Sequence, residues 1–256
     1  MSGTFANDPE FAATIQKPRR TGFGLVNTLV CLGVIVLVIL YLLPDLFPSE
    51  ARQAACRAQC AYNLKQIALA MHNYASDHGA FPPACTVDAS GRRLHSWRTL
   101  LLPYLEQKTL YESIDLSKPW DDPANAKALE ARPTVYRCPS SSAPRDSTTY
   151  LANAAEGGCL IPGRPRRFAE ISDPTGATIL DIEADDGHAV PWMAPIDADE
   201  SLILGLSQAS KPNHPSGFNA GMVDGSVRFL KPTLPATVRR ALISIAGGDN
   251  PRGDVY

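Results

Sequence analysis

The hydrophobic pattern takes three forms in succession along the 256 residues. It is first almost continuous, over residues 23–43, with no charged side chain between Arg20 and Asp45. A helix needs about 20 such residues to cross the hydrocarbon core of a bilayer, and every backbone amide in lipid must be bonded within the segment. The run exceeds the roughly 7–15 apolar residues of a cleaved secretory signal. It predicts a transmembrane helix over 23–43. Lys17, Arg19 and Arg20 precede this span, whereas Asp45 and Glu50 follow it. Basic flanks stay in the cytoplasm. Residues 1–22 are therefore expected there, and the C-terminal bulk outside it, in a single-pass protein of the inner (cytoplasmic) membrane.

From residue 50 to residue 78 the apolar positions return at helical spacing, with Ala61, Leu64, Ala68, Met71 and Ala75 joined by Ile67 and Tyr74. Lys65, Gln66, His72, Asn73 and Asp77 largely take the other side. This is an amphipathic helix that lies on a core, ended by Gly79 and Pro82-Pro83. Run through from Phe23, the two segments would make one helix about 80 Å long. Pro44 would mark a kink, and residues 44–80 would be its extracytoplasmic half.

Residues 81–256 carry shorter and weaker signals. Residues 95–111 read as mixed helical structure offering Trp97, Leu101, Tyr104 and Leu105 to the core, and 121–132 as a turn or two of helix. Residues 135–138, 148–152 and 177–183 read as strands. Asp224-Gly225 suits a two-residue primed hairpin turn that would pair Met222 with Val227 and Ala220 with Phe229. Val238, Ala241, Leu242 and Ile245 predict a closing helix stopped by Gly247. The expected fold is α+β, a long N-terminal transmembrane helix continuing into a one-domain head with an antiparallel β-sheet.

Charge and chemistry narrow the function classes. Lys and Arg number 24 against 26 Asp and Glu, too balanced for a nucleic-acid footprint. Of six cysteines, Cys31 lies in the span as a small packing residue. Cys56, Cys60, Cys85, Cys138 and Cys159 are expected in an oxidising compartment, where disulfides persist. They show no Cys-x-x-Cys or closely spaced Cys/His set for a metal cluster. An acidic run contains Glu183, Asp185 and Asp186, whose hard oxygens are the ligands calcium takes, although a solvated acidic face is the commoner cause. His214 and Asp224 read first as loop and turn chemistry and second as an ion or substrate contact. The chain has no Gly-x-Ser-x-Gly, no His-Glu-x-x-His and no phosphate-binding Gly-Lys loop. The expectation is a protein without catalytic residues or a resident cofactor, with calcium as the one candidate ion.

Two regions carry a family resemblance. Basic residues precede Gly22-Phe23, a long apolar helix starts at once, and Pro44 is the 22nd residue counted from Phe23. This resembles the leader of type IV pilins and pseudopilins, which implies cleavage after Gly22 and methylation of Phe23. The head contains Cys60-Ala61-Tyr62-Asn63-Leu64-Lys65-Gln66-Ile67, Gly79-Ala80-Phe81-Pro82-Pro83, Ser96-Trp97-Arg98, Cys138-Pro139-Ser140, Pro191-Trp192, and His214 followed by nine residues and Asp224-Gly225. With these motifs the chain resembles the exported prepilin-like proteins of domain-of-unknown-function family 1559. The resemblance implies a pseudopilin-like head serving a secretion or surface assembly, with membrane lipid and pilin-like subunits or surface proteins as partners. It also implies Cys60–Cys138 as the first disulfide, with Cys85–Cys159 second. The alternative role is an anchored solute- or glycan-binding module, with Trp97, Trp120 and Trp192 lining its pocket.

One position departs from the pilin pattern. Asn27 stands where such leaders usually carry a Glu whose charge neutralises a neighbour's terminal amine, and a charge in lipid needs such a partner. Cleavage and filament entry are thereby separable. Mass spectrometry of the membrane-extracted protein is expected to find a methylated Phe23 terminus, and an intact Met1 or Ser2 terminus in a host with the peptidase would exclude processing.

Overall fold

The computed structural model describes residues 24–42 and 49–248, in two units that divide between Pro48 and Ser49. Gly22, Phe23 and Pro44 lie outside the described residues. The first unit contributes helix α1 (Leu25–Leu42), 18 residues without a charge. At 1.5 Å per residue it rises about 27 Å, just under the roughly 30 Å of a hydrocarbon core. Among the described residues no helix is long and apolar enough to cross a membrane. Residues 43–48, through which a single continuous helix is expected, lie outside the described residues.

The second unit opens with α2 (Ser49–His78), closed by Gly79 at φ +74°, a left-handed C-terminal position where glycine has no Cβ penalty. Its buried stripe is Cys60, Asn63, Leu64, Ile67, Ala68, Ala70 and Met71. Lys65, Asn73 and Asp77 face solvent as their spacing predicts. His72 does not: it is half-buried, with Nε2 2.9 Å from the Val223 carbonyl. A short hairpin follows, β1 (Cys85–Val87) with β2 (Arg93–Ser96), then α3 (Trp97–Leu100), capped by Ser96. Next come α4 (Lys108–Glu112) and α5 (Ala126–Leu129). The strand expected over 135–138 is instead a 3-10 turn at Thr134–Tyr136, because Pro133 supplies a turn and no partner strand pairs there.

The remaining strands are β3 (Ser147–Thr148), β4 (Tyr150–Ala152), β5 (Ile179–Glu183), β6 (Val190–Pro191), β7 (Phe218–Met222) and β8 (Val227–Leu230), with α6 (Glu200–Gly205) and α7 (Ala236–Ile243) between and after them. The main sheet has the order β4-β5-β7-β8 and is antiparallel throughout. The α2 stripe covers one face together with Tyr150, Ala152 and Leu180. The other face packs Leu151, Ile182, Ala220 and Met222 against Ile203 of α6 and Leu242 and Ile243 of α7. The α+β class with an antiparallel sheet holds, and the head is a three-layer stack.

The β7–β8 hairpin corrects the sequence expectation by one residue. Ala220 pairs with Arg228 and Gly221 with Val227. The Gly225 amide donates to the Met222 carbonyl, the Met222 amide donates to Ser226, and Gly225 has φ +83°. This is a three-residue loop, a type I turn closed by a left-handed glycine, rather than the two-residue primed turn. A shift of one residue exchanges the faces of the strand, so Phe229 does not face Ala220.

A buried guanidinium ties the head together. Arg98 is fully buried and uses all five donors: Nε to the Trp192 carbonyl, Nη1 to Tyr150 and Asp197, Nη2 to Ala194 and Ile196. Asp197 also accepts from Trp97 Nε1 and from the Ala152 amide. Removing one partner of such a pair leaves the other charge buried alone, at a cost of about 3–5 kcal/mol. Arg98→Met is expected to lower unfolding stability by that amount in urea titrations followed by circular dichroism. Adding Asp197→Asn to the same chain should restore part of the loss.

Candidate functional site

The sheet face under α2 is unusually polar for a helix–sheet interface, and strand register is the cause. Tyr150 pairs with Glu183 and Ala152 with Asp181, so both carboxylates point toward α2. Asn219 shares that face and donates Nδ2 to Glu183 Oε2 at 2.7 Å. Gly221 lies opposite Asp181, where an added Cβ would collide with the carboxylate. Burial pushes the Asp181 carboxyl up to about 7.

Helix α2 meets this face with Cys60 and Asn63. Asn63 Nδ2 donates to the Arg137 carbonyl at 3.0 Å and reaches the Tyr150 hydroxyl at 3.4 Å. Arg137 precedes Cys138, and Cys138 Sγ lies 2.9 Å from Cys60 Sγ. His214 comes from the bend ahead of β7, with Nε2 3.7 Å from Cys138 Sγ and 3.2 Å from Glu183 Oε1. The donor atoms of Cys60, Cys138, Glu183 and His214 all lie within 4.8 Å of one another, and all four residues are buried. Burial works to lower the His214 pKa, but the hydrogen bonds and charges of Cys138 and Glu183 prevail and hold it up at about 9. Cys138 is raised, chiefly by its hydrogen bond with Cys60 and by burial. The set is a thiol pair beside an imidazole–carboxylate pair, which has the donor chemistry to hold a soft or borderline metal ion or to close a disulfide.

Several sequence expectations are corrected here. Cys60 and Cys138 are brought together, but both are free and their sulfurs stand well beyond the covalent separation of about 2.05 Å. Cys85 and Cys159 are also free and face different groups: Arg93 and Asp197 surround Cys85, Arg166 and Asp181 surround Cys159. Burial raises both thiols, Cys159 to about 12. The calcium set does not converge. Glu183 turns to His214 and Asn219, Asp185 Oδ1 lies 2.8 Å from His188 Nδ1, and Asp186 takes the hydroxyls of Ser141 and Ser142. His214 and Asp224 part company: Asp224 accepts from the Ser226 amide within its turn, and Gly225 completes that turn. Trp97 and Trp192 are core residues packed on Tyr136, Trp97 edge-on and Trp192 stacked, and Trp120 is half-buried against the same core, so the three serve packing.

Two openings flank the buried cluster. A cavity of about 210 Å³ is lined by Glu50, Gln53, Ala54, Arg57, His214 and Pro215. A groove of about 500 Å³ on the other side runs past Gln59, Asn63, Gln66, Gln107, Arg132 and Arg137. Sequence reasoning named each of the four clustered residues and put Cys60 beside Cys138, but it did not join Glu183 and His214 to them, since they come from four separated segments. The usable signal was the presence of Cys60, Cys138 and His214 in separate family motifs.

Fold and site together define an α+β head in which one long helix covers a four-stranded antiparallel sheet across a buried thiol–imidazole–carboxylate layer. Residues 49–158 match the model of a family described as a protein of unknown function (DUF1559), and over those residues the chain is similar to that family. The match takes in Cys60, Arg98, Cys138 and Tyr150 and stops short of Glu183, Asp197 and His214. No curated protein and no solved structure matches the chain.

The glycine opposite Asp181 can be tested directly. Gly221→Ala places a methyl group against a buried carboxylate and is expected to cost about 1–3 kcal/mol, the usual range for overpacking, read as a lower urea midpoint at unchanged slope. Wild-type stability would show that the Asp181 carboxylate has room to move.

Proposed function

We propose that this chain is a membrane-anchored, pseudopilin-like structural protein whose head acts outside the cytoplasm as an interaction module of a secretion or surface assembly. The observation that carries the reading is α1. Its described side chains are all exposed, from Leu25 at 80 % to Ile39 at 46 %, although almost all are apolar. A helix apolar all round needs lipid or other apolar helices around it. In sequence the apolar run extends to Phe23 and Leu43, which would give a rise of about 31 Å and match a hydrocarbon core. Asn27 lets the helix enter lipid without a partner for a buried charge. The head offers the first three turns of α2 as a free helix surface, since residues 50–55 and 57–59 are exposed.

One observation favours a second reading on the same anchor. The 500 Å³ groove is lined by Gln59, Gln66 and Gln107 beside Arg132, groups that hydrogen-bond a hydroxyl-rich solute or glycan. The two readings part in intact cells. The full chain is expected to stay in the membrane pellet through alkaline carbonate extraction, and deletion of 25–42 should release it. A full chain that carbonate releases has no such anchor. A photo-cross-linker at Arg52 is expected to capture another protein chain or a second copy; capture of neither, with glycans retained on an array, would select the binding module.

A further inference from the structure

We propose that Cys60, Cys138, Glu183 and His214 form a closed, structural binding site for one zinc ion between α2 and the sheet. The donor set comes first: two sulfurs, one imidazole nitrogen and one carboxylate oxygen are each ordinary zinc ligands, and four of them make a complete tetrahedral shell. Geometry agrees with it. Zinc bonds of about 2.3 Å to sulfur and 2.0–2.2 Å to nitrogen or oxygen place neighbouring ligand atoms roughly 3.3–3.8 Å apart around a tetrahedron. Cys138 Sγ and His214 Nε2 are 3.7 Å apart, and His214 Nε2 and Glu183 Oε1 are 3.2 Å apart. The Cys60–Cys138 edge, at 2.9 Å, has to widen by about 0.9 Å to reach the sulfur–sulfur spacing of a zinc site, and the remaining donor pairs lie within 4.8 Å of one another.

Burial makes the same point from the energetic side. All four residues are 0–1 % exposed, and the buried Glu183 Oε1 makes no hydrogen bond of good geometry, its nearest polar neighbour being His214 Nε2 at 3.2 Å. A buried carboxylate held by so little is costly, and a cation at the centre of the four donors satisfies it. The orientation of that oxygen is already set, because Asn219 holds the other carboxylate oxygen at 2.7 Å, as outer partners do in metal sites. No position faces open solvent, so the ion is structural rather than catalytic. The cavity beside His214, lined also by Glu50 and Arg57, is the entry path.

Binding is balanced in protons. The ion displaces one proton from each thiol and one from the imidazolium form of His214, so each ion bound releases up to three protons. The ligands come from α2, the loop after the Thr134–Tyr136 turn, β5 and the bend before β7. One ion therefore joins four segments that chain connectivity keeps apart. The competing occupant of the same space is a Cys60–Cys138 disulfide, which would contract the sulfurs and remove both thiolate ligands.

The full chain, extracted from membranes in detergent without chelator, decides between them. Elemental analysis is expected to find about one zinc per chain, and peptide mapping without reductant should find Cys60 and Cys138 as thiols. Cobalt exchanged into the wild-type protein should give a near-ultraviolet thiolate charge-transfer band. Glu183→Gln, which keeps the side-chain shape, should lower zinc affinity at least about tenfold, and Cys138→Ser should weaken the cobalt band. A Cys60–Cys138 disulfide in protein from the cell envelope would overturn the site. So would reduced wild-type protein that takes up neither zinc nor cobalt, a result independent of whether any variant folds.

Discussion

Everything in the head is arranged around one buried cation. Arg98 sits in the interior with its five donors committed to four carbonyls and one carboxylate. Guanidinium is suited to this because its planar fork reaches several acceptors at once and is never deprotonated in proteins. The constraint works in both directions. The segment 192–197 has no regular structure, yet its carbonyls must present themselves to Arg98, and the aromatic rings of Trp97, Tyr136 and Trp192 fill the space around it. The Tyr136 hydroxyl closes the arrangement by donating to the Arg98 carbonyl at 2.8 Å. A loop is thereby fixed as firmly as a strand.

Tyr150 connects this clamp to the polar layer beneath α2. Its carbonyl accepts from Arg98, and its ring carries a hydroxyl 3.4 Å from Asn63, on the helix turn that holds Cys60. Two buried polar systems thus share strand β4. Apolar packing alone would let α2 settle on the sheet at several depths, since Leu64, Ile67 and Met71 are interchangeable in kind. Hydrogen bonds are not so tolerant. Asn63 to Arg137 and Asn219 to Glu183 are satisfied at one helix position, which gives the helix a single register on the sheet.

What the sequence revealed follows from which forces are periodic. Helix α2 was legible almost to the residue, 50–78 against Ser49–His78, because a long one-sided burial pattern repeats every 3.6 residues. The sheet was legible only in pieces. Strand β5 fell within the expected 177–183 through its β-favouring residues, although it is buried at every position and shows no alternation, whereas β1 and β2 are too short to register. The hairpin was seen but misread by one residue, since Asp-Gly fits a three-residue loop as well as a two-residue one. Arg98 was quoted only as part of a motif, for charged residues are ordinarily exposed and only the fold supplies its acceptors. Glu183 was grouped with Asp185 and Asp186 by proximity in sequence, whereas β5 ends at Glu183 and Asp185 and Asp186 belong to the turn that follows. Chemistry assembled from residues 60, 138, 183 and 214 has no local pattern to detect.

The position of Cys60 along α2 gives the buried cluster a mechanical meaning. It is the first fully buried residue of the helix; the turns before it are exposed, apart from half-buried Cys56 and the Arg57 guanidinium lying 4.8 Å over the Phe229 ring. Load passed along the chain into the start of α2 therefore reaches Cys60 before it reaches the apolar stripe. A stripe of Leu64, Ile67 and Met71 resists peeling only by surface area removed from water, which yields one residue at a time. Four ligands from four segments, joined by the proposed ion, would yield together or not at all. A head proposed to hang from an anchored helix needs its firmest cross-link at the point where the pull arrives, and in this fold the thiols, imidazole and carboxylate gather there.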